Sequence, residues 1–225
     1  MATAEEAKKK NIEKMGDALG SQFSALWQEV VLVHMVWSEF VELYGTKPSR
    51  VEILNASASN FFYMAQQVLW ESTMLHICRL TDPSLVAGKT NLTVQNLYSL
   101  IPDAKLKAEV LQLVDAAILR SDFCRDWRNR HIAHRDLDLA LGKSATPLAT
   151  GTVKDTTSAI KALAEVLNAV ESHYMDSQTA YDFAKPHNGA IALLYALDDG
   201  LKAKRGREER IQQGKILDAD LQREL

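Results

Sequence analysis

Residues 120–135 read Arg-Ser-Asp-Phe-Cys-Arg-Asp-Trp-Arg-Asn-Arg-His-Ile-Ala-His-Arg, which places five arginines, two aspartates and two histidines in one short run. The local charge is +3 with histidine neutral, inside a chain whose formal charge is −3. A guanidinium fork binds phosphate or carboxylate oxygens through paired N–H bonds, and an imidazole exchanges protons near neutral pH. Together these groups concentrate positive charge in an acidic chain and present something polar at one place. Two plainer arrangements use the same residues. One is a solvated helix end with pairs such as Asp122 to Arg125, and the other a line of histidines hydrogen-bonded in a core. A metal pair of His131 and His134 is disfavoured, since the neighbouring arginines repel a cation and no third ligand is evident.

Such a run needs a scaffold, and the scaffold reads as helical. The prolines at 48, 83, 102, 147 and 186 cut the chain into six segments. Within them Phe61, Ala65, Val68, Leu69, Ser72 and His76 follow helical spacing, as do Leu106, Val110, Leu113, Val114 and Ala117, and Ile160, Leu163, Ala164, Leu167 and Val170. No stretch alternates apolar and polar residues between turn signals, so no strand is predicted. The expected fold is all-α, with four long helices near 21–44, 55–81, 103–134 and 153–184. A short helix near 93–100 starts at Thr93, and another runs from about 189 to 203 into a charged tail. Breaks fall near Gly16 and Gly20, and Gly45 ends the first long helix. True loops are expected at 81–91 and 141–151. The organisation reads as a helical lead-in at 1–19, a bundle at 20–185, and a C-terminal helix and tail at 186–225. Along the third helix, positions 117, 124, 127, 131 and 134 carry Ala, Cys, Trp, His and His, so the inward line turns from aliphatic to imidazole.

Composition excludes several classes. Gly and Pro make up 15 of 225 residues, about 7% against a usual ~12%, and 47% of the chain is hydrophobic. That disfavours a many-stranded sandwich, a collagen-like repeat and a disordered chain. A pI of about 6.1 gives no global field for nucleic acid, so any polyanion site is local. Cys78 and Cys124 form no CxxC pair and suit a reducing compartment. The start MATAEEAKKK lacks a secretory apolar region, and the longest run free of charged residues, 53–70, contains Asn, Ser and Gln. A cytoplasmic protein without a membrane segment is expected. Ala87-Gly-Lys-Thr90 is no phosphate loop, because the first glycine of that motif would fall at Pro83. No Glu-x-x-His pair or Gly-x-Ser-x-Gly elbow occurs.

Arg128-Asn129-x-x-x-x-His134 resembles the Arg-polar-x-x-x(x)-His signature of the HEPN superfamily, and its context, Arg-Asp-Trp-Arg-Asn-Arg-His-Ile-Ala-His-Arg-Asp, is similar to the abortive-infection branch of prokaryotes. A second patch, Ile77-Cys-Arg-Leu-Thr-Asp-Pro83 followed by Asn91-Leu-Thr-Val-Gln-Asn-Leu97, has an order similar to that branch. The resemblance covers roughly residues 20–185. It implies a HEPN-like four-helix bundle that cleaves RNA without a metal or other cofactor, in a defence or toxin-like role. Arg128, His134 and Asn129 become the expected catalytic residues: His134 as base or acid, Arg128 on the phosphate, Asn129 orienting either. Arg125, Arg130, His131 and Arg135 become candidate RNA contacts, each adding salt-sensitive affinity. The implied partners are a second copy of the chain, a tRNA or mRNA substrate and a cognate inhibitor protein. Asp136 stands where the nucleotidylated variant carries tyrosine, which sets that variant aside.

Spacing supplies a geometric condition. Six residues advance a helix by about 600°, so Arg128 and His134 would diverge by about 120° and ~9 Å on an unbroken helix. Either the helix ends or bends between them, or the arginine reaches around, or two motifs meet across a dimer; the resemblance favours the dimer. Two other functions stay open at this level. One is a non-catalytic HEPN-like module that binds RNA or protein, and the other a plain bundle whose Arg128 and His134 pair with local carboxylates.

Overall fold

The computed structural model describes residues 3–143, 146–217 and 220. It is 77% helical and almost without sheet. In chain order the helices are α1 (Ala4–Met15), α2 (Asp17–Phe40), α3 (Pro48–Thr81), α4 (Leu97–Leu100), α5 (Ala104–Arg120), α6 (Asp122–Trp127), α7 (Leu137–Ala140), α8 (Val153–Met175) and α9 (Ala190–Gln212). Two π-helical turns, Val41–Gly45 and Arg128–Ile132, and two 3₁₀ turns, Val94–Asn96 and Tyr181–Phe183, complete the helical set. Among the described residues no helix is long and apolar enough to cross a membrane.

The chain forms two compact units. The first comprises Met1–Ser38 with Val68–Lys185, and the second Glu39–Gln67 with Pro186–Leu225. In the first, α5 and α8 pack most extensively. The core of α2 repeats at Leu19, Phe23, Leu26, Val30, Val33 and Trp37, alternating steps of four and three, and each of these is buried. Met74, Ile77 and Cys78 from α3, Val110, Val114 and Ala117 from α5, and Ile160, Leu163, Leu167 and Val170 from α8 are likewise buried. Local signals set the ends of these helices. Thr152 and Asp155 form a reciprocal capping box at α8, and Asp103 accepts the Leu106 N–H at the start of α5, 2.7 Å away. In the second unit Arg50 binds the Glu42 carboxylate and backbone carbonyl, and Tyr44 donates to the Phe62 carbonyl at 2.8 Å. The Glu39 carboxylate accepts the first N–H of α9, a favourable charge at a helix N-terminus.

Several boundaries differ from the sequence expectation. α3 starts at Pro48, where a first-turn proline costs no hydrogen bond, and Ala58 interrupts it with φ −160° and ψ 73°. Its predicted stripe is misplaced at Phe61 and Val68, which are exposed, while Phe62 is buried. The expected helix 103–134 is three pieces. Ser121 breaks it at ψ 3°, and its hydroxyl lies within hydrogen-bond distance of the Ile118 carbonyl at 3.0 Å and of Thr81 Oγ1 at 3.2 Å. The expected helix 153–184 ends at Met175 because Asp176 adopts φ +48°, and α9 runs nine residues past its predicted end. Gly16 takes φ +84° and ends α1, whereas Gly20 lies inside α2. The predicted loop 81–91 contains a small hairpin, Leu85–Val86 against Lys89–Thr90, turned by Ala87 and Gly88 at φ +49° and +77°. Within the predicted loop 141–151, Ser144 and Ala145 lie outside the described residues, as do Met1, Ala2, 218–219 and 221–225 of the lead-in and tail.

Candidate functional site

Arg128 opens the π-helical turn that follows α6, and the turn closes with Ala133 N–H donating to the Arg128 carbonyl at 2.8 Å. The backbone then bends at Ala133 and His134, and α7 begins at Leu137, capped by Asp136. The helix therefore ends between the two motif residues, which is the first of the three arrangements the spacing allowed. The 120° divergence of an unbroken α-helix does not apply.

Arg128 Nη1 donates to both oxygens of Asp82, at 2.7 and 2.8 Å, and its Nε donates to Asn129 Oδ1 at 3.0 Å. Both ion-pair side chains are mostly covered, with 27% of Arg128 and 20% of Asp82 exposed. Asp82 comes from the chain just beyond α3, and that helix end is firmly held. Thr93 Oγ1 donates to the Leu80 carbonyl, Gln95 Nε2 to the Thr81 carbonyl, and Arg125 Nη2 to the Thr81 carbonyl and hydroxyl. Carbonyls left without partners at a helix C-terminus favour such donors, cationic ones above all. The two sequence patches, 77–83 with 91–97 and 120–135, thus form one cluster in which the second caps the end of the first.

A second brace ties the motif to the 146–149 segment. The Asp126 carboxylate accepts the Ala149 N–H at 2.7 Å, Trp127 Nε1 donates to the Ala149 carbonyl at 2.9 Å, and Arg130 donates to the carbonyls of Thr146 and Pro147. Arg130 also pairs with Asp126 and Asp136. Trp127 stands edge-on to Trp70 and to His131, with ring centroids 5.6 and 5.5 Å apart, and Trp37 continues the row beyond Trp70. His131 Nε2 lies 3.6 Å from Glu71 Oε1.

The predicted site residues separate by environment. Arg128 and Asn129 hold each other, while Arg125 and Arg130 direct their donors into the protein. His131 is half-buried, and His134 and Arg135 are exposed. The inward line of the third helix holds at Ala117 and Cys124, weakens at Trp127 and His131, and ends at His134. Sequence reasoning did not assign Asp82, Glu71 or Asp126 to the site. Asp82 stood within the 77–83 patch, which was the available signal. The nearby Cys78 and Cys124 are fully buried, and burial pushes the Cys78 thiol up to about 11 and raises that of Cys124 as well. Both stay protonated near neutrality and are poor nucleophiles.

No curated protein and no solved structure matches the chain. The HEPN_AbiU2 family model (AbiU2) matches residues 16–193, a span that includes Asp82, Arg128, Asn129 and His134, and on that match the chain belongs to the AbiU2 family of HEPN-type abortive-infection proteins.

Proposed function

We propose that this HEPN domain is a metal-independent endoribonuclease acting in defence or as a toxin. The observation that carries the reading is the break at the π-helical turn, with Arg128 fixed at one end and an exposed His134 at the other. In the proposed reaction a ribose 2′-OH attacks the adjacent phosphorus and the bond from phosphorus to the 5′-oxygen breaks, leaving a 2′,3′-cyclic phosphate. The 2′-proton passes to a base and a proton reaches the departing 5′-oxygen, and in this proposal His134 makes such transfers. Arg128 stabilises charge on the phosphoryl oxygens, and Asn129 keeps the guanidinium oriented. Arg135, exposed beside His134, extends the contact along the RNA backbone. A tRNA or mRNA substrate, a second copy pairing the motifs, and a cognate inhibitor protein belong to the same proposal.

A second reading has its own support. The Asp82 carboxylate already neutralises Arg128, the carboxylate pairing expected of a plain bundle, and it suits equally a non-catalytic HEPN-like module that uses Arg128 for hydrogen bonding. Incubating purified protein with tRNA and mixed RNA in EDTA separates the two. The nuclease reading expects cleavage by wild type, with a loss on the order of 10²–10⁴-fold in His134→Ala and a large loss in Arg128→Ala. Equal cleavage by all three proteins contradicts it, and absence of cleavage with retained RNA binding supports the module.

A further inference from the structure

Of the three guanidinium nitrogens of Arg128, Nη1 is held by both oxygens of Asp82 and Nε by Asn129. Among the described residues, Nη2 donates no hydrogen bond. Two acceptors on two different nitrogens fix the plane of the guanidinium as well as its position. Asp82 is itself supplied by a helix end whose last carbonyls and hydroxyl are bonded by Thr93, Gln95, Arg125 and Ser121. The sequence suggested a free fork able to bind two phosphate oxygens. The geometry offers a fork with one prong already occupied.

We infer that Asp82 is a positioning residue for the reaction. It orients Arg128 so that the Nη2 edge meets one phosphoryl oxygen, and it keeps the arginine from closing on phosphate as a two-point clamp. This inference rests on the nuclease reading above. Its physical content is that orientation matters more than attraction. A two-point clamp binds ground-state phosphate strongly, and binding that is equal in ground and transition states does not raise kcat. A single preoriented donor works where charge develops, without reorganising during the step. The adjacent carboxylate also disfavours RNA held unproductively at the arginine.

Asp82→Asn and Asp82→Ala test this in different ways. The amide of Asp82→Asn keeps an acceptor for Nη1 without the charge, whereas Asp82→Ala releases the guanidinium. Steady-state cleavage of one oligoribonucleotide, per folded molecule as counted by circular dichroism and thermal melting, is the measurement. The expected result is a kcat within a few-fold of wild type and a lowered KM for Asp82→Asn, and at least a tenfold lower kcat without a raised KM for Asp82→Ala, since a misplacement of about 1 Å costs up to ~10² in rate. A purely structural Asp82 would lower the melting temperature of both variants and leave kcat unchanged, which overturns the inference while the nuclease reading stands. If Asp82→Ala does not fold, Asp82→Glu, whose longer arm displaces the guanidinium, must show the same kcat loss. A wild type that cuts no RNA removes the nuclease reading and this inference with it.

Discussion

Replacing Asp126 with alanine should loosen the hold of the motif on the 146–151 segment. The carboxylate accepts the half-buried Ala149 N–H at 2.7 Å and meets Arg130 Nη1 at 3.3 Å, with about a quarter of each side chain exposed. A hydrogen bond to a charged acceptor is worth about 1.5–3 kcal/mol, and an (i, i+4) ion pair of this exposure adds only about 0.3–0.5 kcal/mol. The expected loss is therefore about 2–3 kcal/mol. For a protein of this size that corresponds to a melting temperature lower by about 4–12 °C. Asp126→Asn keeps an uncharged acceptor and should lose about half as much. Thermal unfolding followed by circular dichroism gives the global figure, and hydrogen exchange at the Ala149 amide gives the local one. Trp127 still donates to the Ala149 carbonyl in the variant, so the segment should loosen and not be lost. A change below about 0.5 kcal/mol, the usual range of an uninvolved surface substitution, together with unchanged Ala149 protection would refute the account of how this side of the motif is held.

Other expectations concern the rest of the first unit. At Gly20 a Cβ would lie 2.6 Å from the Asn11 carbonyl oxygen and from Ile12 backbone atoms, so Gly20→Ala must displace α1. The Asn11 to Ser24 bond would break with it, and hydrogen exchange should report loss of protection across Ala4–Met15 with little change in α8; unchanged α1 protection contradicts the packing. His34 is buried against Tyr181, and burial lowers its pKa, opposed in part by Asp182 and a bond to the Ile160 carbonyl. His76 is lowered as well, by burial first and then by Arg79, with Glu29 opposing. The unfolded chain binds these protons near pH ~6.5 while the folded chain resists them. Stability is thus fully present above about pH 6.5 and declines as the pH falls through that value toward the lower folded pKa. Urea midpoints measured from pH 7.5 to 5 should fall, and His34→Leu should flatten the slope; a midpoint that rises on acidification contradicts the assignment.

The parts of the fold that could be read from the chain are those fixed by local chemistry. Thr93 starts its helix as expected and Thr152 caps α8, because a side-chain oxygen at an N-cap acts within three residues. The stripe of α8 is buried as its spacing requires, and that of α5 is buried except at Leu113, which is partly exposed. The misses arose where a distant partner decided. Ser121 leaves the helix because its hydroxyl reaches Thr81, 40 positions away, and nothing near Ser121 announces that. Asp82 is 46 positions from Arg128, so the motif was legible and its ion-pair partner was not. The π-helical turn has no composition of its own. It was implied only by the difficulty of placing Arg128 and His134 on one helical face, which the spacing did expose.

The central claim is that Arg128 and His134 drive attack by the ribose 2′-OH. It is tested most directly by the chemistry of the RNA ends left after incubation in EDTA, on an oligoribonucleotide and on its twin carrying a single 2′-deoxy residue at the cleaved position. The account predicts a 2′,3′-cyclic phosphate on the 5′ fragment, a 5′-hydroxyl on the other, and no cut at the deoxy position. A product with a 5′-phosphate, or equal cleavage of the deoxy twin, would contradict it.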